Sequence, residues 1–308
     1  MISESYELFA DKDNKGKRLD AYVYSQLQDV FFSRASVQKT ISEGGISVNG
    51  QVITKSGYKI CENDVVVCQY EFEGEIIAKP ENIPIDIVYE DDDIIVVNKP
   101  RGMVVHPGAG NLSGTLANAL MYHCENLSDI NGPVRPGIVH RIDKDTTGLI
   151  VAAKNNKAHV HLAKQLEEHT MSRTYFAVVE GIVESNKGII DAPIGRKPND
   201  RIKMAVNINN GKEAVTHYEV LARSNGFSYV KCNLETGRTH QIRVHMAFIK
   251  HPVVGDPLYG IKDTRQMKGQ ALHAGALRLK APADDRDMVF EASLPDDFYD
   301  LLKRTHLV

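Results

Sequence analysis

The sequence predicts an α+β protein: a mixed or antiparallel sheet with helices packed on it, preceded by a small module of two helices and a hairpin. Three features predict it. After about residue 85, strand-like apolar runs outnumber helical ones and do not alternate regularly with them, which argues against a doubly wound sheet. Before residue 72, two helical patterns lead into a short hairpin. Between these regions, residues 73–84 are acidic and carry Pro80 and Pro84, which suits a linker. The expected division is therefore 1–72, a linker at 73–84, and a larger domain at 85–308.

In the first region, Leu19, Val23 and Leu27 recur at helical spacing over residues 18–28, with Tyr22 beside them. Ser33 is placed to cap a second helix running to about Glu43, with Val37 and Ile41 on one face, and Gly44-Gly45 stops it. Ile46 to Val48 and Gln51 to Ile53 read as two strands joined by Asn49-Gly50, a pair favoured where both central residues need positive φ. In the larger region, Asp93 to Pro100 reads as a buried strand ending at a proline. Gly148 to Ala153 is a second apolar segment, residues 155–169 look helical, and Thr174 to Val183, Val215 to Leu221 and Tyr229 to Leu234 look like strands.

At 42% hydrophobic and 25% charged, the 308 residues have the mix of a globular protein. The start, Met1-Ile2-Ser3-Glu4, is polar and acidic, unlike a secretory signal. No run approaches the roughly 18 apolar residues of a membrane span. Cys61, Cys68, Cys124 and Cys232 form no C-x-x-C pair, so reduced thiols in a cytoplasmic protein are expected. The net charge of −3 masks an uneven distribution. Residues 62–93 hold eleven acids and one base, and the remainder has 36 basic against 29 acidic residues, a net of +7. Nucleic-acid binding needs local positive potential, not a basic total.

Three segments place polar and charged residues between apolar strands, where a plain core does not put them. Asn98 to Gly110 follows a buried strand. Its glycines lack the spacing of a dinucleotide loop, so it reads as a rigid structural loop. Gly137 to Leu149 puts Asp143 between Arg141 and Lys144, and flanking cations keep a carboxylate ionised. Such a group can attack a sugar carbon or stabilise positive charge there. On composition alone a structural ion-pair turn is favoured, and Asp145 is a rival carboxylate. Leu234 to His245 concentrates Arg238, Arg243, two histidines and a glutamine, and arginine forms bidentate pairs with carboxylates and phosphates.

Residues 15–70 resemble the S4 RNA-binding domain, on Ser33 to Ile41 followed by Gly45-Ile46-Ser47-Val48-Asn49-Gly50. Arg34, Gln38 and Lys39 fall where one helix face would meet phosphates. From about Pro84 to about Pro282 the chain resembles the RluA family of pseudouridine synthases. His140-Arg141-Ile142-Asp143, followed by Thr146-Thr147-Gly148-Leu149, is similar to that family's His-Arg-Leu-Asp-x-x-Thr-Ser-Gly-Leu element, with Ile142 and Thr147 as conservative departures. The resemblance implies the pseudouridine synthase fold, a largely antiparallel bent sheet flanked by helices. It implies Asp143 as catalytic carboxylate in preference to Asp145, and Arg141 as the residue entering the RNA stack. It also implies Tyr175, in Arg173-Thr174-Tyr175, as the active-site tyrosine, and Arg243 as the partner of the aspartate. Arg18-Leu19-Asp20 also contains Arg-Leu-Asp but lacks the rest of the element, so Asp20 is assigned no catalytic role.

The reaction so implied breaks N1–C1′ of a uridine, turns the uracil and joins C5 to C1′, by attack of Asp143 on C1′ or by a glycal route. No cofactor, nucleotide or metal is expected: there is no GxxxxGK[ST] loop, and His159-Val160-His161 reads as a structural pair. His140 and Arg238 are expected to contact RNA. So is the basic stretch Arg196, Lys197, Arg201 and Lys203, read as a loop between strands. The S4 module and the runs at 106–111 and 143–148 are most similar to the RluD type. That likeness implies large-subunit (23S) ribosomal RNA, or the assembling large subunit, as partner of a monomeric enzyme without membrane contact. A tRNA-directed synthase, a non-catalytic ribosome-assembly protein and a glycoside hydrolase pairing Asp143 with Asp145 are the alternatives.

Overall fold

The computed structural model describes residues 2–27, 31, 34–72, 77–108, 111–197, 203–261 and 267–308. The chain divides into two compact units, Met1–Glu75 and Ile76–Val308.

The first unit contains β1 (Ile2–Phe9), α1 (Leu19–Gln26), α2 (Arg34–Ser42), β2 (Ile46–Val48), β3 (Gln51–Val52) and β4 (Val65–Phe72), with its sheet ordered β1-β4-β2-β3. Leu19, Tyr22, Val23, Val37 and Ile41 are buried together, so the helical periodicity marks the core face. Asn49 and Gly50 both have positive φ (52° and 77°), as the predicted turn requires. Ser33, the expected cap, lies outside the described residues. Strand β1 was not expected; it pairs antiparallel along the whole of β4.

The second unit contains β5 (Asp86–Glu90), β6 (Ile94–Lys99), α3 (Leu116–His123), β7 (Thr147–Ala153), α4 (Asn156–Glu167), β8 (Ser172–Glu180), β9 (Lys187–Asp191), β10 (Ile194–Arg196), β11 (Met204–Val206), β12 (Val215–Ser224), β13 (Phe227–Leu234), α5 (Gln241–Phe248), β14 (Leu272–Lys280), β15 (Asp287–Glu291) and α6 (Asp296–Arg304). Its main sheet runs β5-β6-β7-β14-β8-β13-β12-β9, with β15 also paired to β14. Every pairing is antiparallel except β14 with β7, so the sheet is mixed and largely antiparallel, as expected.

Both faces of the sheet are covered at β6 and β7, which explains the unbroken apolar runs there. Ile94, Val96, Leu149 and Val151 pack under α4 with Ala158 and Leu162. Ile95, Val97, Ile150 and Ala152 face the larger core, with Leu116 of α3, Ile242 and Met246 of α5 and Phe298 of α6. The segment at 77–84, expected as linker, lies on this unit. Ala78 is buried and its N–H donates to Pro133 O at 3.0 Å, the Glu81 N–H donates to Asn118 O, and Ile83 packs on the core. Two apolar residues, Ala78 and Ile83, with two backbone hydrogen bonds, anchor this acidic stretch. Among the described residues no helix is long and apolar enough to cross a membrane.

Candidate active site

Asp143 opens a tight turn just ahead of β7, with the Thr146 N–H donating to Asp143 O at 3.1 Å. The predicted structural loop after β6 clamps that turn. Lys99 is fully buried, and its Nζ donates to Pro100 O, Met103 O and Lys144 O at 2.8, 2.8 and 3.0 Å. Arg101 Nη1 donates to Asp145 O and Gln270 O, at 2.6 and 2.8 Å. Two cations therefore satisfy the turn's carbonyls, which a buried loop needs. At the end of the turn, a Cβ on Gly148 would lie 2.2 Å from Ala274 O, so only glycine lets β7 approach β14 there.

Arg243 reaches the turn from the first part of α5. Its Nη1 donates to Asp143 Oδ2 at 2.8 Å, while Nε and Nη2 bind both oxygens of Asp256 at 2.6 and 2.9 Å. The Asp256 side chain is fully buried and also accepts the N–H groups of Leu258 and Tyr259. Burial works against the charge on Arg243, but the hydrogen bonds of Asp256 and the charges of both aspartates outweigh it and raise its pKa. The Arg243 guanidinium stands 5.2 Å over the Tyr259 ring, a cation–π distance. The Tyr259 hydroxyl meets His240 Nδ1 at 2.9 Å, and His240 Nε2 lies 3.9 Å from the other oxygen of Asp143. Gln241 locks the loop before α5: its oxygen accepts from the Arg238 N–H and Thr236 Oγ1, and its nitrogen donates to Val215 O and Thr216 Oγ1.

Asp143, Tyr175, Arg141 and Arg243 line one cavity, with Arg173, Leu272 and His240. Its volume is about 50 Å3, room for a few water molecules. Tyr175 is buried on β8; burial pushes its phenol above the usual range, the Asp143 charge adds to this and Arg173 opposes it. Two larger clefts of about 520 and 490 Å3 adjoin this cavity, and Arg141 lines all three spaces. The carboxylate of Asp145 is not part of the cavity.

The expected RNA-contacting residues fall into several situations. Arg141 is exposed and Arg238 half-buried, both beside the cavity. His140 is different: its Nε2 accepts the Val151 N–H at 3.1 Å, and burial, with Arg173 nearby, pushes its pKa down to about 3. Its Nε2 thus supports β7, and burial disfavours a charged ring there. Arg196 and Met204 pair across the β10–β11 hairpin, the Lys197 N–H bonds to Lys203 O, and the Met204 N–H donates to Tyr259 Oη at 2.8 Å. The basic stretch is thus tied to the residue that stacks on Arg243. Arg201 lies outside the described residues. In the first unit, Arg34 and Gln38 bind Asp20 at 2.8 and 2.5 Å, so that aspartate joins α1 to α2. Lys39 is exposed and 3.7 Å from Glu43.

Lys99, Arg101, His240, Asp256 and Tyr259 were not singled out as site residues by sequence reasoning. Lys99, Arg101 and His240 lie inside segments already marked by their polar crowding, which was the available clue. Asp256 and Tyr259 lie in a short loop with nothing to distinguish it.

Known proteins similar to this chain point to one family. The family model described as RNA pseudouridylate synthase matches residues 93–248, and the S4 domain model matches residues 17–66. The chain is 50% identical to the Bacillus subtilis "Uncharacterized RNA pseudouridine synthase YlyB", over 96% of this chain and 97% of that one. It is 46% identical to "Ribosomal large subunit pseudouridine synthase D" of Neisseria meningitidis, over 93% of this chain and 78% of that one. Among solved structures it is similar to "Human RNA Pseudouridylate Synthase Domain Containing 1", with 27% identity, a TM-score of 0.55, and coverage of 73% of this chain and 86% of that one. The chain belongs to the RNA pseudouridine synthase family and is an RNA pseudouridine synthase with an S4 domain.

Proposed function

We propose that this enzyme converts uridine to pseudouridine in large-subunit ribosomal RNA in the cytoplasm, as a monomer, with Asp143 as the catalytic carboxylate. The observation carrying the chemistry is the single cavity that joins Asp143, Tyr175, Arg141 and Arg243. The likeness to the ribosomal large subunit pseudouridine synthase D of Neisseria meningitidis supports the ribosomal substrate.

In this reading the target nucleotide leaves its stack, at a cost of a few kcal/mol. The cavity is too small for a base as it stands, so exposed Arg141 swings aside and fills the gap left in the RNA. Arg243 holds one oxygen of Asp143, and the other faces the sugar. The N1–C1′ bond breaks, the uracil turns, C5 bonds to C1′, the C5 proton is lost and N1 gains one. Tyr175 lies against the uracil face. Its raised pKa suits packing better than service as a base at neutral pH. Arg238, Arg196, Lys197 and Lys203 meet phosphates near the site; Arg201, of the same basic stretch, is assigned to RNA by its charge. Arg34 and Lys39 do so on the S4 unit, where the Arg34 bond to Asp20 also fixes its helix.

Carbodiimide mapping of RNA from a strain lacking this protein tests the assignment. Loss of pseudouridines confined to large-subunit ribosomal RNA is the expected result. Loss in tRNA alone would overturn the ribosomal assignment.

A further inference from the structure

Arg173 is an unusual arginine. It is 8% exposed, its Nε is buried without a partner, and among the described residues its side chain makes no hydrogen bond or ion pair, while its backbone pairs in the β8–β14 ladder. A guanidinium does not deprotonate in proteins, and an unpaired buried ion is costly. Its position is nevertheless built for it. A Cβ at position 237 would stand 2.7 Å from Arg173 Nη1, so Gly237 leaves the space the guanidinium fills. Arg173 lines both the Asp143 cavity and the adjoining cleft of about 520 Å3. That cleft also takes Arg135, Arg141 and Arg238, and Glu167 is the single acid among its described lining residues. The cleft on the other side balances its cations with Asp143 and Asp145.

We propose that Arg173 holds a phosphodiester group of the RNA in this cationic cleft, next to the target nucleotide. The inference rests on the RNA substrate of the proposed function and adds a site to it. A planar fork matches two phosphate oxygens. The shared wall formed by Arg141, Arg173, Gly237 and Arg238 places that phosphate beside the cavity that receives the base. The cleft then gives the RNA strand a direction, because its backbone leaves the Asp143 cavity on the Arg173 side.

The test uses the full chain in an Asp143→Asn background, bound to a transcript of large-subunit ribosomal RNA carrying sparse phosphate ethylation. Arg173→Met should weaken binding about tenfold or more. It should lower the slope of log Kd against log salt by about 0.7–0.9, the value of one phosphate. It should also erase one ethylation-sensitive position adjoining the modified uridine, and Arg173→Lys should restore part of the affinity. The melting temperature should hold or rise, since an uncompensated buried charge is removed. An unchanged ethylation pattern and salt slope would overturn the proposal. So would a lower melting temperature with intact binding, which makes Arg173 structural, or slower turnover of the Asp143-intact enzyme with intact binding, which makes it act through Tyr175. A parent protein that ignores the transcript would refute the ribosomal assignment instead, and the phosphate site would fall with it.

Discussion

Asp256→Ala is the most informative change outside the cavity. The Asp256 side chain is fully buried and holds Arg243 by two bonds of 2.6 and 2.9 Å. It also accepts two backbone N–H groups. Removing one partner of such a pair costs about 3–5 kcal/mol, because the remaining charge stays buried. For a domain of this size that is a fall in Tm of roughly 6–20 °C. Asp256→Asn keeps the shape and one acceptor, so its loss should be smaller. Turnover should suffer in both variants, because Arg243 no longer aims Asp143; a displacement near 1 Å is enough for about a hundredfold loss. The acid limb of stability provides a further check. Burial alone would raise the Asp256 pKa, yet the bonds and charge of Arg243 bring it below the usual value. A depressed folded pKa gives stability that is complete above the unfolded value of about 3.9 and lost as pH falls through the folded one. Asp256→Asn should flatten that acid decline. Thermal unfolding across pH, with single-turnover rates, measures both effects. A Tm within about 2 °C of wild type, together with normal turnover, would refute the reasoning.

Lys99→Met should lower stability by ~2–4 kcal/mol and slow turnover, since the carbonyls of Pro100 and Met103 lose the Lys99 donor and that of Lys144 keeps only the Gly102 N–H. Burial pushes the Lys99 pKa down to about 7, below its unfolded value of about 10.4. Wild-type stability should therefore gain with rising pH between those values, and denaturant melts should show the variant lacking that gain. His140→Phe should cost ~1–3 kcal/mol by orphaning the Val151 N–H while leaving the salt slope of RNA binding unchanged; a reduced slope would restore His140 as a phosphate contact. Replacing Arg196, Lys197, Arg201 and Lys203 together should weaken RNA binding and reduce its salt dependence, as filter binding across salt concentrations would show. An equal slope would remove the hairpin from the interface.

Much of the fold was legible because local patterns coincide with tertiary demands. The apolar runs of β6 and β7 are buried on both faces, and the Asn49-Gly50 turn needs two positive φ angles. Strand β1 was missed because its partner lies some sixty residues away and its pattern is muted: Tyr6 and Leu8 are only partly buried, between exposed Ser5 and Glu7. Central strand β14 escaped notice too, although β7, β8 and β15 all pair with it. Its polar and small residues, from His273 to Gly275, do not read as a core strand. Within the site, Asp143 and Arg243 are a hundred residues apart, and no pattern in the chain joins them. Only the family resemblance brought them together in advance. The bond from the Val151 N–H to His140 Nε2 was not legible either, because a histidine beside an arginine looks like an interface and nothing local signals a strand N–H as its partner.

Asp143 is the residue on which the proposed chemistry turns. Asp143→Asn, incubated with unmodified large-subunit ribosomal RNA and assayed by carbodiimide adducts that survive alkali, should form no pseudouridine while binding the RNA as wild type does. Substantial pseudouridine formation by this variant would contradict the assignment of Asp143 and with it the mechanism built around the cavity.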